Sequence, residues 1–128
     1  MLRASDTLGR WGGEEFLLIL PDTDLDCAVA TMHRMRSVTA AMQLPDMARG
    51  LQVSFSAGLA TRTQAAQSLD EVIAAADVAL YEAKNGGRNL VRLDPETYRV
   101  AASSVLRALY GAAWRQEQFN AGTDLRAD

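Results

Sequence analysis

Gly12-Gly13-Glu14-Glu15-Phe16 joins two glycines to two adjacent carboxylates. Glycines let a ligand approach the backbone closely. A carboxylate pair at a turn supplies hard oxygen donors, the kind Mg²⁺ or Mn²⁺ prefers beside a phosphate. Neighbouring strand residues point to opposite faces, so Glu14 and Glu15 need not do the same job. The same five residues also suit an ordinary exposed turn with two solvated acids. Upstream, Arg3 and Asp6 are separated by Ala4-Ser5, with five residues between Asp6 and Gly12. An Arg can fork onto guanine O6 and N7, and a carboxylate can accept from guanine N–H groups. A surface ion pair is the plainer reading of those two residues. Downstream, Asp77, Tyr81 and Lys84 are spaced four and three, which puts them on one helix face. Lys84 and Arg88 bracket the end of that helix, where two cations can grip a triphosphate or complement the helix dipole.

The elements that must position these groups can be read from pattern. Thr7–Trp11 and Glu14–Leu20 read as two strands around the Gly12-Gly13 turn. Pro21 ends the second strand, and Asp22 or Asp24 caps a helix running to Met42. Its expected apolar stripe is Leu25, Ala28, Met32, Met35, Val38 and Met42. Leu51–Ala60 reads as a strand with Val53, Phe55, Ala57 and Leu59 on one side and Ser54, Ser56 and Gly58 on the other. Ser68 or Asp70 opens a second helix, with Leu69, Val72, Ile73, Ala76, Leu80 and Ala83 as its apolar face and Gly86-Gly87 as its stop. Asn89–Leu93 is expected as a short strand. Pro95 then begins a last helix striped by Tyr98, Ala102, Val105 and Leu109, and the polar chain after Asn120 is expected to fray. This order implies an α/β (α+β) sandwich with a mixed, largely antiparallel sheet.

Composition narrows the function. With 128 residues, 48% apolar, the chain can bury one core. A net charge of -3 argues against non-specific nucleic-acid binding, so no DNA partner is expected. Cys27 and His33 are the only residues of their types, which leaves no disulfide framework or thiolate cluster and gives a Ser/His/Asp triad little to build on. The longest apolar runs are too short to span a bilayer, so no membrane segment and a cytoplasmic location are expected. Phe16 is assigned to the core, and Trp11 to packing beside the turn.

Taken together, these features resemble the GGDEF family. The signature stands in its GGEEF form at Gly12–Phe16, with the RxxD motif ahead of it at Arg3 and Asp6. Ser54-Phe55-Ser56-Ala57-Gly58 is similar to the family's S-x-G strand, and Asp77–Asn89 to its closing D-x-A-L-Y-x-A-K-x-x-G-R-N run. The resemblance covers residues 1–93 as a partial GGDEF domain and leaves 94–128 as a helical extension. It implies the palm-like fold of nucleotide cyclases and a diguanylate cyclase, a nucleotidyltransferase that makes a bacterial second messenger for signal transduction. Two GTP-loaded domains would pair as a homodimer. Each 3′-hydroxyl would attack the α-phosphate of the other GTP, giving cyclic di-GMP and pyrophosphate.

The resemblance also implies residue roles. Gly12 and Gly13 would approach the nucleotide. Glu14 and Glu15 would bind Mg²⁺ (or Mn²⁺) and help deprotonate the hydroxyl. Lys84 and Arg88 would hold the phosphates, and Arg3 and Asp6 would form an allosteric cyclic di-GMP site. The family's domain opens with a strand carrying a metal-binding Asp and two guanine-binding helices, all ahead of RxxD. Here RxxD starts at the third residue, so those elements are expected to be missing, leaving an unpaired strand edge and little turnover by the chain alone. Two other readings stay open at this point. One is an inactive cyclic di-GMP-binding module using the RxxD site; the other is an interaction fragment that pairs through the open edge.

Overall fold

The structure, a computed structural model, describes residues 2–46, 50–101 and 124–125. The chain opens with a hairpin, β1 (Thr7–Gly12) and β2 (Glu15–Ile19). It continues through α1 (Leu25–Ala40), β3 (Ala57–Leu59), α2 (Leu69–Asn85), β4 (Val91–Leu93), α3 (Pro95–Ala101) and β5 (Asp124–Leu125). β1 and β2 pair antiparallel as one sheet. β3 and β4 pair parallel, and β5 pairs antiparallel with the far edge of β4. The expected α+β class with mixed pairing is therefore what the chain adopts. Among the described residues the sheet is in two parts, and β2 and β3 each keep one edge free of ladder bonds.

Local chemistry explains the helix boundaries. Asp24 caps α1, its Oδ1 accepting from Cys27 N–H at 2.8 Å. Ser68 begins α2 with a full capping box: Ser68 Oγ accepts from Glu71 N–H at 3.2 Å, and Glu71 accepts from Ser68 N–H at 2.7 Å. Asp94 starts α3, accepting from Thr97 N–H at 2.9 Å, while its own N–H donates to Leu59 at 2.8 Å.

The core joins α1 to the β3–β4 pair. Leu25, Ala28, Val29 and Met32 of α1 are buried with Leu59, Val91, Leu93 and Tyr98, and Leu18 and Leu20 of the hairpin pack against them. The stripe expected on α1 holds from Leu25 to Met35. Val38 and Met42 are exposed, while Val29 and Arg36 are buried instead. On the other side of β3, Gly58 lies directly against α2. A Cβ there would fall 2.0 Å from the Ala76 carbonyl oxygen and 2.3 Å from the Leu80 nitrogen. The Ser/Gly face of this segment thus seats α2 at Gly58, while Ser54 is exposed.

Several other expectations are corrected. Only Ala57–Leu59 of the segment read as Leu51–Ala60 is a strand, because its partner β4 is three residues long; Leu51 and Val53 are exposed. Phe16, assigned to the core, is 65% exposed. It shares a strand face with Leu18, but the packed cluster stops at Leu18. Trp11 is 61% exposed and sits at a bulge. Arg10 pairs with Phe16 and Gly12 with Glu15, so Trp11 is the extra residue on its strand. Asp124–Leu125, expected to fray, is a strand beside β4. Ala102, Val105 and Leu109 of the last helix's stripe lie outside the described residues. No helix among the described residues is long and apolar enough to cross a membrane.

Candidate functional site

The hairpin tip is built differently from the expected Gly-Gly turn. Gly12 is the last residue of β1, and the two turn residues are Gly13 and Glu14. Gly13 has φ +53, a left-handed conformation that glycine adopts without steric cost. A Cβ added at Gly12 or Gly13 would meet no atom within 4 Å, so the backbone here faces open space. Arg10 braces the turn. Its Nε and Nη2 both donate to the Gly13 carbonyl, at 2.9 and 2.6 Å. Sequence reasoning missed this residue; the available signal is an Arg three positions before the turn glycine, where a fork can reach back over the bend.

Glu14 is exposed at the turn, and Glu15 is half-buried where β2 begins. Glu15 reaches across 69 residues of sequence: Lys84 Nζ, in the last turn of α2, donates to Glu15 Oε1 at 2.9 Å. The hydrogen bond to Glu15 raises the Lys84 pKa, with the Glu15 and Glu14 charges adding to it and Arg88 opposing. The lysine is therefore held as a cation through neutral pH, and its charge is lost as pH rises past its elevated value. Both partners keep about a third of their side chains in water, so the pair adds little stability. The four residues expected at one site, Glu14, Glu15, Lys84 and Arg88, do share one electrostatic neighbourhood. Among the described residues no group of three or more His, Cys, Asp or Glu could hold a metal ion. Glu14 and Glu15 fit the manner of Mg²⁺, which binds through one or two carboxylates and completes its shell with water and phosphate.

Asp77 and Tyr81 remain exposed on α2. Gly86 caps the helix, and Gly87 follows at φ +120. Arg88 N–H returns to the Ala83 carbonyl at 3.1 Å, closing the helix end in the Schellman manner. Arg88 is exposed and leaves the helix in the left-handed region, at φ +60.

Arg3 and Asp6 lie at the other end of the hairpin. β1 separates them from the tip by about 17 Å, at roughly 3.4 Å per residue. Arg3 N–H donates to Asp6 Oδ2 at 2.6 Å, and its guanidinium contacts Asp6 Oδ1 at 3.3 Å. The same guanidinium donates to the Pro21 carbonyl at 3.0 Å and to Thr23 Oγ1. The Asp6 side chain is only 4% exposed, whereas that of Arg3 is half in water. The motif is thus folded as an ion-paired turn tied to the loop before α1.

Comparison with known proteins agrees with this arrangement. The family model described as "Diguanylate cyclase, GGDEF domain" matches residues 1–90. Diguanylate cyclase DgcM of Escherichia coli is 40% identical over 89 residues, 70% of this chain and 21% of the relative. Diguanylate cyclase A of Treponema denticola is 34% identical over 91 residues, 71% of this chain and 24% of the relative. The probable diguanylate cyclase DgcE of Escherichia coli is 33% identical over 120 residues, 94% of this chain and 11% of the relative. The chain therefore spans about a quarter or less of the length of these relatives. With GGEEF at the hairpin tip, the closing signature at the end of α2 and a family match over 90 residues, this chain belongs to the GGDEF family.

Proposed function

We propose that this chain contributes to a diguanylate cyclase, condensing two GTP into cyclic di-GMP with release of two pyrophosphates. The observation that carries the reading is the Lys84–Glu15 contact at 2.9 Å. It brings the two signature segments together and sets a cation against the acidic tip where a metal-bound triphosphate would be held.

In this reading Glu14 and Glu15 hold Mg²⁺ or Mn²⁺. When bound, the metal neutralises phosphate charge and makes the nucleophile easier to deprotonate. The open backbone at Gly12 and Gly13 lets the nucleotide lie close to the turn, and the Arg10 fork keeps the Gly13 carbonyl turned away from it. A carboxylate at the tip takes the 3′-hydroxyl proton. The hydroxyl oxygen then bonds to the α-phosphorus of the opposing GTP, and the bond to the β-phosphate oxygen breaks, releasing pyrophosphate. Lys84 and Arg88 balance the charge that builds on the leaving group. Each domain supplies one GTP, so the reaction needs a homodimer. Arg3 and Asp6 would bind the product as an allosteric site, the half-exposed guanidinium presenting the donors.

Mn²⁺ titration followed by electron paramagnetic resonance tests the reading without requiring turnover. The chain should bind Mn²⁺ more tightly when GTP is present, and Glu14→Gln with Glu15→Gln should abolish that gain. Lys84→Met should weaken GTP binding roughly tenfold, the loss of one charge-assisted contact. Mn²⁺ binding that ignores GTP, or that survives both substitutions, would overturn it.

A further inference from the structure

The segment leaving α2 is the most constrained stretch of backbone among the described residues. Gly87, Arg88 and Asn89 are consecutive left-handed residues, at φ +120, +60 and +52. Asn tolerates this region because its short polar side chain bonds locally; Arg has no such advantage. Such a conformation persists only where its surroundings over-determine it, and these places concentrate at functional sites.

The surroundings here come from three separate elements. Arg88 N–H is fixed to the Ala83 carbonyl at 3.1 Å, on the helix side. Asn89 N–H donates to Ser56 Oγ at 3.0 Å, on the lead-in to β3. Arg36 of α1, itself buried, donates from Nε to Asn89 Oδ1 at 3.3 Å. One residue further on, Leu90 is buried and its carbonyl accepts from Ala57 N–H at 2.8 Å. The single exposed cation of this stretch, Arg88, is thus clamped on both sides while its side chain points free of the core.

We infer that Arg36, Asn89 and Ser56 form a bracket that positions Arg88 beside Lys84 for phosphate binding. The inference rests on the proposed role of Arg88 and adds three residues that touch no nucleotide. Arg36 and Asn89 act through the backbone: they hold the left-handed turn, and the turn aims the guanidinium. Without them Arg88 relaxes to ordinary negative φ and its side chain leaves the neighbourhood of Lys84 and Glu15.

The test compares Arg36→Met, Asn89→Gly and their double variant with the parent chain. Asn89→Gly keeps the permissive backbone and removes only the side-chain acceptor, so it serves should Arg36→Met fail to fold. Asn89→Asp accepts from Arg36 and tolerates the left-handed region, and is the rescue. Amide hydrogen exchange at Arg88 and Asn89 should quicken roughly tenfold in both single variants, while amides in β1 and the first turns of α2 hold their rates. The double variant should exchange no faster than Arg36→Met alone, because both changes break the Arg36–Asn89 contact. Asn89→Asp should retain protection. Pyrophosphate affinity should fall in step with exchange, towards that of Arg88→Ala. Unchanged exchange at the two amides overturns the bracket. So does quickened exchange with full pyrophosphate affinity, provided Arg88→Ala lowers it. Full affinity in Arg88→Ala falls instead on the nucleotide reading, and removes the bracket's purpose with it.

Discussion

The hairpin tip and the β3–α2–β4 layer are opposite kinds of structure. At the tip, Gly12 and Gly13 border empty space, Glu14 is in water, and Trp11 and Phe16 are exposed. In the layer, Gly58 touches helix backbone, and Val91 and Leu93 are fully buried. Packing holds the layer, while a few polar contacts hold the tip: the Arg10 fork and the Lys84–Glu15 bridge. Glycine means absence of room in one place and provision of room in the other. The buried packing therefore lies in the layer, and the solvent-facing backbone lies at the tip.

The contrast can be broken most sharply at the glycines. Gly58→Ala should destabilise by upward of about 3 kcal/mol, since the nearest neighbours of the new Cβ are backbone atoms that cannot swing aside. Gly12→Ala should stay within about 0.5 kcal/mol of the parent while losing nucleotide affinity. Urea unfolding of both, with GTP titration of the second, measures the difference. Next in size is the pair Leu93→Ala and Phe16→Ser. The first opens a cavity and should cost about 3 kcal/mol by thermal unfolding; the second changes an exposed residue and should cost under about 0.5 kcal/mol. Arg10→Ala should cost about 1 kcal/mol, the loss of an exposed two-pronged contact to the Gly13 carbonyl, and should raise amide exchange at Gly13 and Glu14.

The smallest effect sharpens the comparison through pH. Asp24 and Glu71 have lowered pKa values, each chiefly because its carboxylate accepts a backbone N–H bond, to Cys27 and Ser68 respectively. Both contribute stability above the ordinary carboxylate range and lose it as pH falls through their depressed values. Unfolding midpoints measured at pH 5 and pH 3 should therefore drop, and drop less in Asp24→Asn or Glu71→Gln.

Much of this was legible beforehand, for physical reasons that also explain the gaps. Helix starts announce themselves through side chains that serve nearby N–H groups, so each start could be narrowed to two residues, Asp22 or Asp24 and Ser68 or Asp70, of which Asp24 and Ser68 are the caps. The chemical residues were legible by type, but the pairing of Lys84 with Glu15 was not, because it depends on where the end of α2 meets the hairpin tip. Alternation in residues 51–60 was misleading because it reports which side is apolar, not whether a strand lies alongside. Phe16 and Trp11 failed for a related reason: an apolar side chain is buried only where another element reaches it. Arg10, Arg36 and Asn89 were invisible, since their roles depend on which backbone turns left-handed and which helix crosses it.

The seat of Gly58 against Ala76–Leu80 has a kinetic side. A parallel β3–β4 pair cannot begin until the crossover helix is laid down, and α2 carries its own capping box to start it. Backbone-to-backbone fit then lets β3 dock on the helix before any side chain has found its place. The β3–α2–β4 unit, 37 residues from Ala57 to Leu93, is therefore expected to form early in folding, which φ-values at Gly58 and Leu93 would measure. A methyl group at position 58 would accordingly slow folding, whereas changes at the hairpin tip would chiefly quicken unfolding.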